Sequence, residues 1–335
     1  MYHHKAPHRN WMPNLPHLDH FAGRKFDLPE SFYDDYASRS AAARDQDMRI
    51  EDMYMSMDMK LFPEDYGTET GTGGQKSFNA ERNWQANYNR MTEDQKAQWD
   101  AHYDPIRKAF REANLTGNEL IEWKYQRYME DYLGSVVSVD ENIGRLLEYL
   151  DANDLTDNTL VIYTSDQGFY LGEHGWYDKR FMYEESFRTP LIMRFPNEIQ
   201  QNGVNENLVM NLDLAPTILT AAGVDIPTAM QGMPLQEVYN LPLTDDWRKS
   251  LYYHYYEYPH GWHKVKRHNG VRGDRYKLIH FYNDIDAWEF YDLQNDPNEL
   301  DNLIDHPEMQ SHINAYKEEL KSLQNFYGDT AAPTI

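Results

Sequence analysis

A chain of 335 residues, of which 40% are hydrophobic and 14% aromatic, is long enough for one large α/β domain with a small appended one. Its formal net charge of -23 argues against a nucleic-acid binder, because contact with phosphates needs a basic face. The chain has no cysteine, which excludes disulfides, thiolate metal sites and a cysteine nucleophile, and no run of residues approaches the roughly 18 apolar residues of a membrane span.

The first third of the chain contains few regular patterns. Residues 1–40 are rich in Pro, His and Asn, which predicts an extended loop, and they lack the apolar segment of a secretory signal. The Met-rich residues 40–63 predict helix, and the Gly/Thr-rich sequence "PEDYGTETGTGGQK" predicts a surface loop. Residues 79–113 are polar and aromatic with helical character. We therefore interpret residues from about 40 to 115 as a helical insertion.

The strongest periodic pattern covers residues 118–153, where apolar residues recur at spacings of three and four and predict an amphipathic helix. The sequence "TLVIYTSD" that follows predicts a buried, β-branched strand, and "PLIMRFP" predicts another. A helix that leads into an apolar strand is typical of a parallel α/β sheet. The sequence "LDLAPTILTAAGV" predicts a short helix with Asp213 as its N-cap and Gly223 beyond its end.

After about residue 246 the pattern changes. The sequences "SLYYHYYEY", "GVRGDRYKLIHFY" and "WEFYDL" are typical of strands separated by turns, and they predict a small antiparallel sheet. The sequence "PEMQSHINAYKEELKSLQNF" predicts a closing helix. We therefore divide the chain into residues 1–245, the larger domain, and residues 246–335, a C-terminal α+β subdomain.

A candidate metal site follows the strand "TLVIYTSD". In open α/β sheets, ligands bind beyond the carboxyl ends of the strands, and Asp166 and Gln167 occupy such a position. A carboxylate beside an amide offers oxygen ligands, which suit Ca²⁺ or Mg²⁺ better than zinc or copper. Because Ca²⁺ takes about six to eight oxygens, further ligands must come from elsewhere. The alternative is that Asp166 caps a turn and Gln167 faces solvent.

Two further residues of the same segment suit an anionic ester. The ammonium of Lys179 is a compact point charge that suits an oxyanion, and near a bound cation it could share a sulfate or phosphate group. Its alternative is a solvated surface position. For His174 two interpretations stay open, a leaving-group acid and a packed loop histidine.

The N-terminal sequence "HHKAPHRNW" concentrates three histidines, a lysine and an arginine. Pro7 fixes the backbone before His8 and so restricts the direction of that imidazole. A histidine-rich tail is the alternative interpretation.

Taken together, these residues resemble the sulfatase family, the formylglycine-dependent branch of the alkaline phosphatase superfamily. The resemblance runs from "HHKAPHRNWMP" through "SVDENIGRLLEYLD" and "VIYTSDQGFYLGEHGWYDKRFMYEESFRTPLIMRFP" to "GVRGDRYKLIHFY" and "WEFYDLQNDPNEL". The C-terminal part is similar to that of bacterial glycan sulfatases and N-sulfoglucosamine sulfohydrolase-like proteins. The resemblance implies an α/β fold, with an alkaline-phosphatase-like mixed or parallel sheet flanked by helices, N-terminally truncated, and a small C-terminal antiparallel sheet plus helix.

The resemblance also implies site residues. Asp166 and Gln167 match the family's Ca²⁺ ligands, with Mg²⁺ less favoured, and Lys179 matches the lysine that holds the sulfate group. His8 matches the histidine of the family's "PH" motif, which contacts the sulfate ester near the leaving oxygen. His174 lies in the family's "GEHG" segment. The candidates for substrate specificity, where the C-terminal sheet of relatives borders the substrate pocket, are His263, Arg267 and His268.

The family's nucleophile motif has no counterpart in this sequence. That motif is Cys-or-Ser-x-Pro-x-Arg, whose first residue is oxidised to formylglycine, and here no cysteine occurs and no serine stands two places before a proline. The family's early Asp-Asp pair is also missing, since neither Asp34–Asp35 nor residues 245–246 follow an apolar strand. We therefore expect a fragment, roughly the last two thirds of a sulfatase, with formylglycine in the missing part and an exposed apolar sheet edge.

Three functions are compatible with these observations. The first is a sulfuric ester hydrolase that acts on sulfated carbohydrate through a Ca²⁺-assisted formylglycine mechanism in the complete enzyme, with no nucleic acid and no membrane span involved. The second is a phosphodiesterase or phosphonate hydrolase of the same superfamily. The third is a non-catalytic protein that binds sulfated glycans. The element "YDLQNDPNEL" favours the sulfatase, and the family resemblance suggests a periplasmic or secreted protein.

Overall fold

The computed structural model describes residues 1–68, 74–200, 202–242 and 246–333. The chain divides into two compact units. Unit 1 comprises Met1–Asp34, Asp47–Leu150 and Tyr170–Asp178, and unit 2 comprises Asp35–Gln46, Asp151–Phe169 and Lys179–Ile335. The predicted boundary after residue 245 falls outside the described residues, and the division at that point stays a prediction.

Helices come first along the described chain, and strands follow them with a few further helices. The α-helices are α1 (Ala41–Asp45), α2 (Pro63–Tyr66), α3 (Gly74–Asn89), α4 (Glu93–Ala113), α5 (Gly117–Ala152), α6 (Glu184–Phe187), α7 (Leu214–Ala221) and α8 (Gln310–Phe326). The strands are β1 (Val161–Thr164), β2 (Tyr170–Leu171), β3 (Tyr177–Asp178), β4 (Leu191–Arg194), β5 (Ser250–Tyr255), β6 (His268–Gly273), β7 (Tyr276–Phe281) and β8 (Ala287–Asp292). These strands form two antiparallel pairs, β1–β4 and β2–β3, and one antiparallel sheet in the order β5-β6-β7-β8.

Unit 1 is built mainly of helices. The helices expected over residues 79–113 and 118–153 are confirmed as α3, α4 and α5. A capping box between Thr92 and Gln95 begins α4, and Asn114 in the left-handed conformation ends it. The core between these helices and the preceding loop is aromatic, and its buried members are Tyr54, Met57, Ala80, Trp84, Trp99 and Tyr103.

The helix expected over residues 40–63 is wrong for most of that range. Between residues 40 and 62, only α1 and a single 3-10 turn, Ile50–Asp52, are helical. Residues 53–61 are all buried, so their side chains enter the core in every direction, which an amphipathic helix does not permit. The carboxylate of Asp58 accepts the main-chain N–H of Tyr54 at 2.8 Å and stabilises a turn in place of the helix.

The surface loop expected over "PEDYGTETGTGGQK" can be compared with the structure only at its two ends. Residues 69–73 lie outside the described part of the chain. On either side, α2 and the beginning of α3 occupy positions for which a loop was expected. Pro at the first position of α2 favours that short helix, since its missing N–H is unpaired there in any case.

In unit 2, both strands expected on either side of the candidate site are present as β1 and β4, but they pair antiparallel. Thr164 at the end of β1 pairs with Leu191 at the beginning of β4. The chain between the two strands therefore begins and ends at the same end of this strand pair. β1 is not a buried strand as expected. Tyr163 is 40% exposed and Ile192 is 65% exposed, because each strand has only the other as a neighbour within the described residues.

The C-terminal antiparallel sheet and its closing helix are confirmed. Helix α8 packs on the sheet through a core made of Val271, Tyr276, Leu278, Phe290, Ile313 and Leu320. The short helix α7 also begins after Asp213 and ends before Gly223, which has a φ of +68°. Within the described residues, no helix has the length and apolar character that a membrane span requires.

Candidate functional site

The turn after β1 presents the expected oxygen pair. Asp166 is exposed and Gln167 is half-buried. The side-chain amide of Asn211 donates to the main-chain oxygens of Asp166 at 2.9 Å and of Ser165 at 3.4 Å. The Ser165 hydroxyl lies 3.3 Å from Asp166 Oδ1. The backbone of the turn is therefore held in place while the carboxylate faces solvent.

Gly168 lets this turn pack closely against helix α6. Its N–H donates to the main-chain oxygen of Ser186 at 2.8 Å. A Cβ added at Gly168 would lie 2.1 Å from the carbonyl oxygen of Glu185 and 2.5 Å from that of Arg188. Since both obstacles are backbone atoms, only glycine permits this approach.

Lys179 lies beside the same turn. Its side chain is half-buried, and Nζ lies 5.5 Å from the ring centroid of Phe169, within the range of a cation–π interaction. The next residue, Arg180, donates its main-chain N–H to the hydroxyl of Ser186 at 3.0 Å. Hydrogen bonds to Ser186 thus connect chain positions adjacent to the oxygen pair and to the ammonium.

In unit 1, His8 lies in a tight, exposed turn. Its main-chain N–H donates to the carbonyl of Lys5 at 3.0 Å, and its Nδ1 lies 2.7 Å from the carbonyl oxygen of Arg9. The ammonium of Lys5 donates to the carbonyl oxygens of Arg9 at 2.6 Å and of His8 at 3.4 Å. The backbone around His8 is therefore constrained while its ring remains accessible to solvent.

The guanidinium of Arg9 anchors this turn to the core of unit 1. It binds both oxygens of the fully buried Asp58, with 2.7 Å between Nε and Oδ1. The rings of Tyr54 and Tyr177 flank it at 5.1 and 4.9 Å. Burial lowers the pKa of Arg9, but the carboxylate of Asp58, with smaller contributions from Tyr177 and Asp178, outweighs burial, and the net shift is upward.

A second ion pair continues the network from Asp58. The fully buried Lys60 donates to the main-chain oxygen of Asp58 at 2.7 Å and pairs with Asp131 Oδ2 at 2.8 Å. The other oxygen of Asp131 accepts from Arg127 at 2.9 Å and from the Tyr103 hydroxyl at 2.8 Å. Burial raises the pKa of Asp131, but these three donors outweigh burial. The pKa of the carboxyl therefore lies below its usual range.

His174 is fully buried in a loop of unit 1. Its Nδ1 lies 3.1 Å from Asp34 Oδ2, and its main-chain N–H donates to the hydroxyl of Ser31 at 3.0 Å. Its φ of 56° is left-handed, and the ring of Trp176 lies 5.2 Å away. This is the environment of a packed loop histidine, one of the two interpretations of this residue. Asp34, which the sequence left unassigned, is its partner.

The three specificity candidates lie in unit 2 with different exposure. His263 is 3% exposed, and Arg267 is half-buried with its guanidinium paired to both oxygens of Asp284 at 3.0 and 2.7 Å. The hydrogen bonds from Arg267 hold the pKa of Asp284 below its usual range. His268 is fully buried on β6, where burial lowers its pKa to about 4 and keeps the ring neutral. Its ring stacks on Phe181 at 5.9 Å.

Within the described residues, the fit to a calcium ion and to formylglycine can be compared with the side chains present. No group of three or more His, Cys, Asp or Glu side chains in this part of the chain is arranged to hold a metal ion. Asp166 and Gln167 alone supply fewer oxygens than Ca²⁺ requires, although their chemistry suits it. Formylglycine does not fit this chain, because the full sequence has neither cysteine nor a serine two places before a proline.

Several residues that shape this region were not apparent from the sequence. Arg9 was visible only as part of a basic cluster, and its partner Asp58 lies 49 positions away. Ser186 occurs within the sequence "MYEESFRTP". Nothing in that sequence indicates that its two oxygens accept hydrogen bonds from Gly168 and Arg180. Long sequence separation hides such partners from local pattern analysis.

Comparison with known proteins decides the family. The family model described as "Sulfatase" matches residues 32–224, and that described as "N-sulphoglucosamine sulphohydrolase, C-terminal" matches residues 172–326. The chain belongs to the sulfatase family. This confirms the resemblance inferred from the sequence, and the structural match below confirms the α/β fold class.

Among similar proteins, the N-acetylglucosamine-6-O-sulfatase of Bacteroides thetaiotaomicron is 47% identical over 98% of this chain and 58% of its own length. A structure solved in complex with its substrate D-glucosamine-2-N,6-O-disulfate superposes with a TM-score of 0.90 and 45% identity, over 99% of this chain and 66% of that one. The phosphonate monoester hydrolase of Silicibacter pomeroyi is more distant, with a TM-score of 0.56 and 25% identity over 65% of this chain and 44% of that one. The chain thus spans less than two thirds of the length of the first two of these proteins.

Proposed function

We propose that this chain belongs to a sulfuric ester hydrolase that removes sulfate from glucosamine-containing glycans. The observation that carries the proposal is the segment after β1. The exposed carboxylate of Asp166 and the amide of Gln167 precede Phe169, whose ring lies 5.5 Å from the ammonium of Lys179. Ser186 accepts hydrogen bonds from the residues that follow Gln167 and Lys179. The names of the relatives support the choice of glycan. The phosphonate monoester hydrolase named above is more distant in sequence and structure.

Within unit 2, the proposal assigns charge stabilisation to three side chains. Asp166 and Gln167 would hold Ca²⁺ together with further ligands, and the bound cation would offset negative charge on the ester. Lys179 would hold a sulfate oxygen through its ammonium. Preorganised charges of this kind commonly supply the largest part of catalysis, because they need no reorientation during the reaction.

Within unit 1, the proposal assigns one residue to the substrate and one to support. His8 has an accessible ring on a constrained backbone, which suits contact with the sulfate ester near the leaving oxygen. His174 is fully buried beside Asp34, so we assign it to supporting its loop in preference to proton transfer.

The specificity candidates are proposed to act in two ways. Arg267 and its partner Asp284 offer a fixed cation and a fixed carboxylate, which suit the sulfate or hydroxyl groups of a sugar. The buried residues His263 and His268 would support this surface from within the C-terminal sheet.

Activity can be tested in a chimera, because this chain lacks the family's nucleophile motif. A segment of a family member that carries Cys-or-Ser-x-Pro-x-Arg would be fused before residue 1. We expect Ca²⁺-dependent sulfate release from glucosamine 6-sulfate, with Asp166→Ala and Lys179→Ala each lowering kcat about a hundredfold or more. The exposed Lys108 supplies the control substitution Lys108→Ala, which should leave kcat unchanged.

The same experiment separates the other two functions. Faster turnover of a phosphonate or phosphate ester than of the matching sulfate would establish the phosphonate hydrolase. Binding of a sulfated oligosaccharide by the 335-residue chain without Ca²⁺, together with an inactive chimera, would establish the non-catalytic glycan-binding protein. Full activity in Lys179→Ala would contradict the assignment of Lys179.

A further inference from the structure

One short helix contacts both parts of the candidate site in unit 2. Ser186 lies in α6 and is only 4% exposed. Its main-chain oxygen accepts the N–H of Gly168 at 2.8 Å, directly after Gln167. Its hydroxyl oxygen accepts the N–H of Arg180 at 3.0 Å, directly after Lys179. A single residue therefore holds the backbone beside the oxygen pair and the backbone beside the ammonium.

The two contacts differ in what a side-chain substitution can remove. The bond to Gly168 uses the peptide oxygen of Ser186, which every residue possesses. The bond to Arg180 uses the hydroxyl, which only a few residue types supply. Replacement of the hydroxyl would thus release the chain beside Lys179 and leave the chain beside Gln167 attached.

A buried lysine of the C-terminal sheet binds the first residue of helix α6. The ammonium of Lys277, on β7, is fully buried and lies 2.8 Å from Glu184 Oε1 and from Glu299 Oε1. It also donates to the main-chain oxygen of Met182 at 2.8 Å. The second oxygen of Glu299 accepts the N–H of Glu184 at 2.7 Å, at the beginning of α6. This arrangement fixes α6 to the C-terminal sheet.

The spacing between a bound cation and an ammonium matters for an anionic ester. Both positive groups stabilise the same negative charge, and their interaction with it falls with distance. A displacement of about 1 Å can reduce a rate by about a hundredfold. A site of this kind therefore requires a rigid connection between its two cationic elements.

We propose that Ser186 is a positioning residue that sets the spacing between Lys179 and the Asp166–Gln167 pair, and that Lys277 fixes the helix that carries it. The identity of the ligand rests on the proposed function. The connection through Ser186 does not, because it concerns only the placement of Lys179 within unit 2.

The first test measures the placement of Lys179 in the 335-residue chain. A small acylating reagent would modify lysines, and mass spectrometry would follow the rate at Lys179. We expect Ser186→Ala to raise that rate about fivefold, the factor that corresponds to one lost hydrogen bond. Ser186→Thr retains the hydroxyl and should restore the original rate. The matched control Ser135→Ala removes the hydroxyl of another buried serine and should not change Lys179.

The second test uses the chimera described above. Ser186→Ala should lower kcat for sulfate release about tenfold, with KM changed less than about twofold and the melting temperature close to that of the control. Equal acylation rates at Lys179 in Ser186→Ala and the original chain would overturn the inference, whatever the activity. An inactive chimera would refute the proposed function alone, because the acylation rates would still decide whether Ser186 holds Lys179 in place.

Discussion

A buried cation supports a candidate loop in each unit, but the two supports are built differently. In unit 1, Arg9 faces one carboxylate, Asp58, and binds both of its oxygens. In unit 2, Lys277 lies at equal distances from two carboxylates, Glu184 and Glu299. The first support matches one cation to one anion, and the second shares one ammonium between two anions.

The difference predicts a different response to pH. The guanidinium of Arg9 is always charged, and its planar fork matches a single carboxylate. In unit 2, burial raises the pKa of Glu184, but Lys277 and Arg272 outweigh it and the net shift is downward. Burial raises the pKa of Glu299 to about 7, with Lys277 opposing and Glu184 adding to the shift. The support in unit 2 should therefore vary with pH near neutrality, and that in unit 1 should not.

The largest effect should come from removal of the shared lysine. Lys277→Met leaves the buried carboxylate of Glu299 without its cation and the half-buried Glu184 with Arg272 alone, so we expect the free energy of unfolding to fall by about 4 kcal/mol. Urea unfolding would measure it. Lys108→Met, at an exposed lysine, should stay within about 0.5 kcal/mol. Addition of Glu299→Gln to Lys277→Met should recover part of the loss, and no recovery would contradict a shared ammonium.

A somewhat smaller effect should follow from the arginine of unit 1. Arg9→Met leaves Asp58 buried without a cation and should cost about 3 kcal/mol. Arg9→Lys keeps the charge but loses the two-point geometry, and should cost about 1 kcal/mol. Thermal unfolding of both variants would provide the values. Equal losses in the two variants would show that charge contributes nothing at this position.

The pH dependence of stability separates the two supports further, because only the support in unit 2 contains Glu299. Glu299 has a pKa raised from 4.5 to about 7, so the folded chain binds its proton more tightly than the unfolded chain does. Stability from this group is therefore complete below about pH 4.5 and is lost as pH rises to about 7, by about 2 to 3 kcal/mol. Glu299→Gln should remove that part of the pH dependence. An unchanged slope of unfolding free energy against pH would refute the assignment, and Arg9→Lys serves as the control.

The smallest effect concerns the ring beside the ammonium. Phe169→Leu preserves an apolar side chain but removes the aromatic face 5.5 Å from Lys179 Nζ. The loss of a cation–π interaction at a half-buried position should cost about 0.5 to 1 kcal/mol. The acylation rate at Lys179 should rise about twofold to fivefold. A rate equal to that of the original chain would show that the ring does not restrain the ammonium.

Local periodicity predicted the elements that local interactions determine. The apolar spacing over residues 118–153 specified α5, and the alternating segments after residue 246 specified β5 to β8. Residues 40–63 were misassigned because their methionines suit a helix as well as a densely packed core. Burial on all sides is a tertiary property, which the composition of the segment does not determine.

The sequence suggested candidate reactive groups, whose roles stay a prediction, but it did not suggest the contacts that support them. Asp166, Gln167 and Lys179 lie within one short segment, and the family resemblance assigned their roles. The supports depend on partners far along the chain, such as Lys277 for Glu184, and no local pattern connects them. The antiparallel pairing of β1 with β4 was likewise not predictable, because it depends on the path that the chain takes between the two strands.

The central claim is that the oxygen pair and the ammonium act on the same group, and a double-mutant cycle tests it most directly. Sulfate release by the chimera would be measured for Asp166→Ala, Lys179→Ala and the two together. If both residues act on one ester, the double variant should lose little more activity than the worse single variant. Losses that multiply, so that the logarithms of the two effects add, would contradict the account.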